Sequence, residues 1–194
     1  MVSNTESDWP GNRSDESLRA GLATSRVRAG VAVLVGLFFL AWAYMDGISV
    51  YDRLPDRIPT HFGPGGAADG WAGKGVFPVF GLLMMGGALL VVMAFVSRLG
   101  ARWYNFPGKE RVLKLPPAQQ AYVIAPMQEL IAWLGAAMAV MLSVASRQTW
   151  AVALGERAGI SVWVMLLPAA VGIVGAGLTI ISARARLREL EEST

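Results

Sequence analysis

No cysteine occurs among the 194 residues, and histidine occurs once, as His61. The first absence removes disulfide staples, thiolate metal sites and a thiol nucleophile together. The second leaves any imidazole-based metal site short of the three or four ligands that zinc takes. Charge is scarce as well: Asp, Glu, Lys and Arg make up 16% of the chain against 54% hydrophobic residues, below the quarter or so of an ordinary soluble domain. The net charge of +3 does not point to nucleic acid, because the basic residues cluster beside apolar runs instead of alternating with aromatics. No cofactor and no nucleic-acid partner are expected.

What the chain does have is long uncharged runs. Between Arg28 and Asp46 lie 17 such residues, from Gly75 to Ser97 there are 23, from Leu130 to Ser146 there are 17, and from Ala158 to Ala183 there are 26. A hydrocarbon core of about 30 Å takes roughly 20 residues of helix. The second and fourth runs cover it outright; the first does so by extending toward Val50, and the third by extending at either end. The expectation is an all-α membrane protein with four transmembrane helices, over about 29–50, 75–97, 128–150 and 160–183, joined by a structured extracytoplasmic loop of about 25 residues (51–74) and a basic inner loop (98–127). Small residues recur at four-residue spacing inside the spans, as in Ala32 and Gly36, Gly135 and Ala139, and Gly172 and Ala176, which suits close packing within the bundle.

Residues 1–28, rich in Ser, Asn, Gly and charge, read as a disordered cytoplasmic tail. The first span reads as an anchor and not a cleaved leader: acids precede it, and no small-x-small site follows cleanly. The C-terminal tail 184–194 reads as a continuation of the fourth helix, with Arg184 and Arg188 set against anionic headgroups. Twelve basic residues fall in the tail, the second loop and the C-terminus, against five in the other two loops. The excess of Lys and Arg belongs on the cytoplasmic side of a cell membrane, so both termini are expected inside and the His61 loop outside. Trp42, Tyr44, Trp71, Trp150 and Trp163 then mark the outer interface, and Trp103 and Tyr104 the inner one.

Within the outer loop, Pro55 and Pro59 bias the preceding residues to extended backbone, and GPGGAADG supplies permissive turns. A loop of this length needs a reason to be ordered. His61 stands among Asp52, Asp56 and Asp69, but their spacing is not that of a metal site, and no Ser, Thr or carboxylate pair is fixed against it for catalysis. Two readings remain open: His61 hydrogen-bonds the loop's own backbone while Trp71 and Lys74 settle among headgroups, or the loop docks a peptide, a lipid headgroup or another membrane protein. Neither catalytic nor metal-ligating residues are assigned. In the second loop, Phe106-Pro107-Gly108 reads as a turn, and the stretch from Lys109 as a short interfacial helix broken at Pro116-Pro117. Glu129, at the edge of the third span, is expected to pair with Arg98 or Arg102.

Two motifs carry a family resemblance. LPDRIPTHF followed by GGAADGWAGK resembles the outer-loop signature of the domain of unknown function 1648 family. Tyr104-Asn105-Phe106-Pro107-Gly108-Lys109-Glu110 with Leu115-Pro116 is similar to the cytoplasmic motif that accompanies it, and the resemblance runs from Gly30 to about Trp150. It implies Pro59, His61, Phe62, Asp69, Gly70, Trp71 and Lys74 as ligand- or partner-binding positions, with Tyr104, Asn105, Pro107, Lys109 and Glu110 as an inner-loop motif. The same module stands at the N-terminus of SdpI-like immunity proteins, which implies a secreted peptide outside and a cytoplasmic regulator inside as partners. The chain departs from the pattern at Gly63, where Asn or Asp is usual, and lacks the later Asn…Gly-Tyr/Ile-Arg-Thr motif of the immunity domain. The functional expectation is a multi-pass membrane protein whose outer loop binds or senses a surface ligand, in peptide-toxin immunity or signalling. The alternative is a structural or accessory subunit of a larger membrane complex.

Overall fold

The computed structural model describes residues 10–192, with side chains from Glu16 to Leu190. Four helices long and apolar enough to cross a membrane dominate it. They are α1 (Pro10–Val50), α2 (Val76–Val96), α4 (Pro117–Ala153) and α5 (Leu167–Glu192), with a one-turn α3 (Lys109–Val112) before α4. This is a multi-pass membrane protein. Its apolar surface fits a bilayer: Phe38, Met45, Phe77, Val91, Phe95, Ile173 and Ile181 are all well exposed, where a soluble protein would leave a hydrophobic patch of that size to a partner.

Besides the third span, whose helix begins at Pro117 inside the expected inner loop, the course of the chain departs from the sequence reading at two places. From Pro10 onward the expected disordered tail is helix, continuous with the first span; residues 1–9 lie outside the described residues. At 41 residues α1 runs for about 60 Å, twice the hydrocarbon thickness. Its early part is held by tertiary contact, with Leu18 buried and Gly21 so close to the Tyr122 ring that a Cβ there would come within 2.6 Å of it. The second departure is between α1 and α2, where the extended loop closes into a two-stranded antiparallel sheet, β1 (Arg57–Phe62) with β2 (Ala68–Gly73).

The hub is α4, which touches α1, α2 and α5. Half of its most apolar stretch is buried, against 6% for the last span. Small residues make this possible: Ala132, Ala136 and Ala139 are buried, Gly36 of α1 lies against Leu90 and Ala136, and Gly135 lies against Met93. The small residues at four-residue spacing in α1 and α4 therefore serve packing inside the bundle. Ala176 on α5 is exposed instead.

Pro126 sits inside α4. Proline has no N–H to return to the carbonyl four residues earlier, that of Tyr122. Arg186 of α5 fills the gap, donating from Nη1 to Tyr122 O at 2.7 Å with its guanidinium 4.5 Å from the Tyr122 ring centre. Ser25 of α1 lies 3.3 Å from Nη2 of the same arginine, and the Tyr122 hydroxyl donates to Glu189 at 3.0 Å. One arginine thus ties three helices at this end of the bundle. Glu129 pairs at 3.8 Å with Arg28 of α1, not with Arg98 or Arg102 as the sequence suggests.

Candidate functional site

The hairpin sits on the opposite end of the bundle, over the start of α2 and the end of α4. Beneath it an aromatic floor is set by burial: Trp150 donates from Nε1 to Val79 O at 3.0 Å and meets Phe80 edge-on, while Tyr44 and Tyr51 stack on Phe80. Ile58 and Pro59 of β1 are fully buried; Ile58 joins the core cluster that holds Trp150. The hairpin is therefore seated by its own apolar side.

Two further braces hold it. Lys74 donates from Nζ to Leu54 O at 3.0 Å and lies 4.8 Å from the Tyr51 ring centre, while its backbone N–H reaches Asp56 O at 2.7 Å. It closes the loop's base. At the tip, Gly66 N–H bonds Gly63 O at 2.8 Å across Pro64 and Gly65, and Gly66 O accepts from Ile160 N at 2.8 Å. Gly66 has φ +80°, and a Cβ on it would fall 2.2 Å from Ile160 O, while one on Gly159 would fall 2.4 Å from Gly66 O. Only glycine at both positions lets the hairpin tip meet the α4–α5 loop backbone to backbone. That loop is fixed in turn by Ser161 N–H donating to Gln148 Oε1 at 2.5 Å. At the same end of the bundle, Asp46 of α1 and Arg147 of α4 join the two helices in an ion pair at 2.7 Å, with the guanidinium stacked 3.9 Å from the Trp42 ring centre.

On this seated hairpin the two strands keep step except for two irregularities that cancel. Pro59 faces Trp71, His61 faces Gly70, and Phe62 faces Ala68, so Thr60 and Asp69 have no residue directly opposite. Such bulges re-aim side chains. Here they bring His61 Nδ1 onto the Asp69 carboxylate, a different partner from the loop backbone of one of the two readings left open by the sequence. The pair stays open, with 73% of the His61 side chain and 52% of Asp69 exposed. A carboxylate on Nδ1 fixes the ring's orientation and leaves Nε2 facing outward, an acceptor when the ring is neutral and a second donor when it is protonated. Trp71, 42% exposed, stands two residues beyond Asp69 along β2.

The family-like loop positions therefore separate by task. His61, Asp69 and Gly70 are together, with a Cβ on Gly70 coming within 2.8 Å of His61 Cβ. Trp71 adds an exposed ring, Phe62 is half-buried, and Pro59 and Lys74 hold the hairpin in place. Among the described residues no three His, Asp or Glu side chains converge.

The second motif lies at the far end, after α2. Tyr104 is buried and donates to Val96 O at 2.6 Å; burial pushes its phenol up from its ordinary value, with the Gln128 side chain and the Leu99 backbone pulling the other way. Lys109 N–H bonds Phe106 O at 3.3 Å and Gly108 has φ +83°, a turn that takes Pro at its second position and Gly at its third. Lys109 donates from Nζ to Arg102 O at 2.8 Å, whereas Asn105, Pro107 and Glu110 are exposed. The two motifs do not meet.

Sequence reasoning missed the Gly66–Ile160 seam and the Asp46–Arg147 pair. The second had a signal: Asp46 interrupts the first apolar run and Arg147 ends the third, at the same end of the bundle.

Residues 36–86 match the family described as Domain of unknown function (DUF1648). The match covers the hairpin and the parts of α1 and α2 that carry it, a narrower region than Gly30 to Trp150. No curated protein and no solved structure matches the chain.

Proposed function

We propose that the hairpin is a recognition platform, on which His61, Asp69 and Trp71 engage a ligand or partner at the membrane surface without chemistry of their own. One observation carries this reading: the hairpin is braced from below by Ile58, Pro59 and Lys74 and at its tip by Ile160, while the His61–Asp69 pair and Trp71 remain exposed. Bracing before binding lowers the ordering cost that a loose loop would meet on association. The polarity of the outward Nε2 and the flat ring of Trp71 suit a peptide or another membrane protein.

The excess of basic residues at the other end supports placing both termini in the cytoplasm and the hairpin outside the cell membrane. The resemblance to SdpI-like proteins points to peptide-toxin immunity or signalling as the setting, with a cytoplasmic regulator at the second motif. A second reading, an accessory subunit of a larger complex, draws on α5, whose apolar side chains are the least buried of the four spans.

Cells producing His61→Ala or Asp69→Ala should lose protection or signalling at unchanged membrane levels of the protein. Falling levels would instead make the hairpin a structural element. A photocrosslinking residue at Trp71 should capture a partner of discrete mass, and capture confined to the surface of α5 would favour the accessory subunit. Cysteines introduced at Ala67 and Gly108 test the orientation: labelling of Gly108 from outside would overturn it.

A further inference from the structure

At the end of the bundle away from the hairpin, a cleft of about 700 Å³ opens between α1, α4 and the segment after α2. Its size falls within the range of small-molecule sites. Two guanidinium side chains, Arg26 and Arg98, line it, and no Asp or Glu does. Both are exposed, and Arg98 uses Nη1 for a single bond to Ala94 O at 2.8 Å, so most of its donor fork remains available. Deeper in, the walls are apolar, from Ala29 and Val33 on α1 to Ile124 and Ala125 on α4.

Two other arginines at this end are engaged within the protein. Arg28 faces Glu129 and Arg186 caps the Tyr122 carbonyl. Arg26 stands just before the uncharged run of α1 and Arg98 just after that of α2, which puts both where hydrocarbon gives way to headgroups. From Arg26 to Val33 the helix descends about 10 Å. A ligand that satisfies this cleft is anionic at its outer end and apolar below, with two guanidiniums matched to a phosphate.

We propose that the cleft binds one anionic phospholipid, its phosphate held by Arg26 and Arg98 and an acyl chain laid between α1 and α4. Gly30 lines the cleft, and a Cβ there meets nothing within 4 Å, so this position reports on occupancy without disturbing the packing.

The test uses the full-length chain purified in mild detergent and native mass spectrometry with phosphatidylglycerol and phosphatidylcholine as probes. The unmodified protein should retain phosphatidylglycerol in preference to phosphatidylcholine. Arg26→Gln and Arg98→Gln should each lower that retention about five-fold, while Arg102→Gln, exposed on the same loop but outside the cleft, leaves it unchanged. Gly30→Leu fills the apolar part and should expel the lipid with both arginines intact, which keeps the test open if an arginine variant folds poorly. Equal retention in the arginine variants, an equal loss from Arg102→Gln, or full retention in Gly30→Leu would each overturn the proposal. Displacement of the lipid by inorganic phosphate alone would also overturn it and make free phosphate the ligand.

Discussion

At the hairpin end, backbone meets backbone: Gly66 O accepts from Ile160 N, Lys74 N–H reaches Asp56 O, and the strands pair directly. At the arginine end, long side chains reach across to carbonyls, as Arg186 does to Tyr122, Tyr104 to Val96, Lys109 to Arg102 and Gln128 to Leu99. The first mode fixes the path of the backbone itself and seats this end over an aromatic floor. The second leaves a cleft and two arginines without a facing acid in it. Rigidity at one end suits a surface that presents side chains outward; looseness at the other suits a surface that takes something in.

Substitutions can break this contrast, the largest at the hairpin's floor. Trp150→Ala removes a ring that is 2% exposed and should cost about 3–5 kcal/mol, read as a fall in thermal midpoint in detergent together with faster hydrogen exchange in β1 and β2. Next, Gly66→Ala forces a side chain into positive φ and onto Ile160 O, costing about 2–3 kcal/mol locally; the Ile160 amide should lose its protection while α4 keeps its own. At the other end, Arg186→Met should cost about 2 kcal/mol by stranding the Tyr122 carbonyl and losing the ring contact. Pro126→Ala returns an N–H to that carbonyl, so the same arginine substitution should cost about half as much in its background, a coupling that a double-mutant cycle measures. Lys74→Met should cost about 1 kcal/mol and loosen only the hairpin base in hydrogen exchange. His61→Ala comes last, with less than about 0.5 kcal/mol on stability because the pair is exposed; a large loss in midpoint would mean that the pair holds the hairpin instead of being displayed by it.

The contrast was only half legible in the sequence. Uncharged runs bounded by Arg28, Lys74, Arg98, Arg157 and Arg184 located the four spans, because the bilayer makes charge a boundary marker. The hairpin was not legible: RIPTHF and ADGWAG lack the alternating β-branched pattern of a strand, Pro59 argues against one, and the pairing depends on Ile58 being buried under it by Trp150 and Val79. The helix over 10–28 was hidden for the same reason, since its polar sequence is held by Tyr122 from far along the chain. Glu129 was assigned the wrong arginine because rotation about a helix axis cannot be read from spacing alone. The Arg186 cap did leave a trace: Pro126 inside an apolar run announces a carbonyl in need of a donor, and only the donor's identity waited for the fold.

For all its apolar exposure, α5 is fastened at both ends, by Ile160 docking on the hairpin tip just before it and by Arg186 near its close. During synthesis it emerges after α1, α2 and α4. α1 and α2 can pack on the small faces of α4 without it, but the free Tyr122 carbonyl and the undocked Gly66 both wait for its arrival. α5 thus acts as a clasp, whose two fastenings link hairpin rigidity to closure of the opposite end.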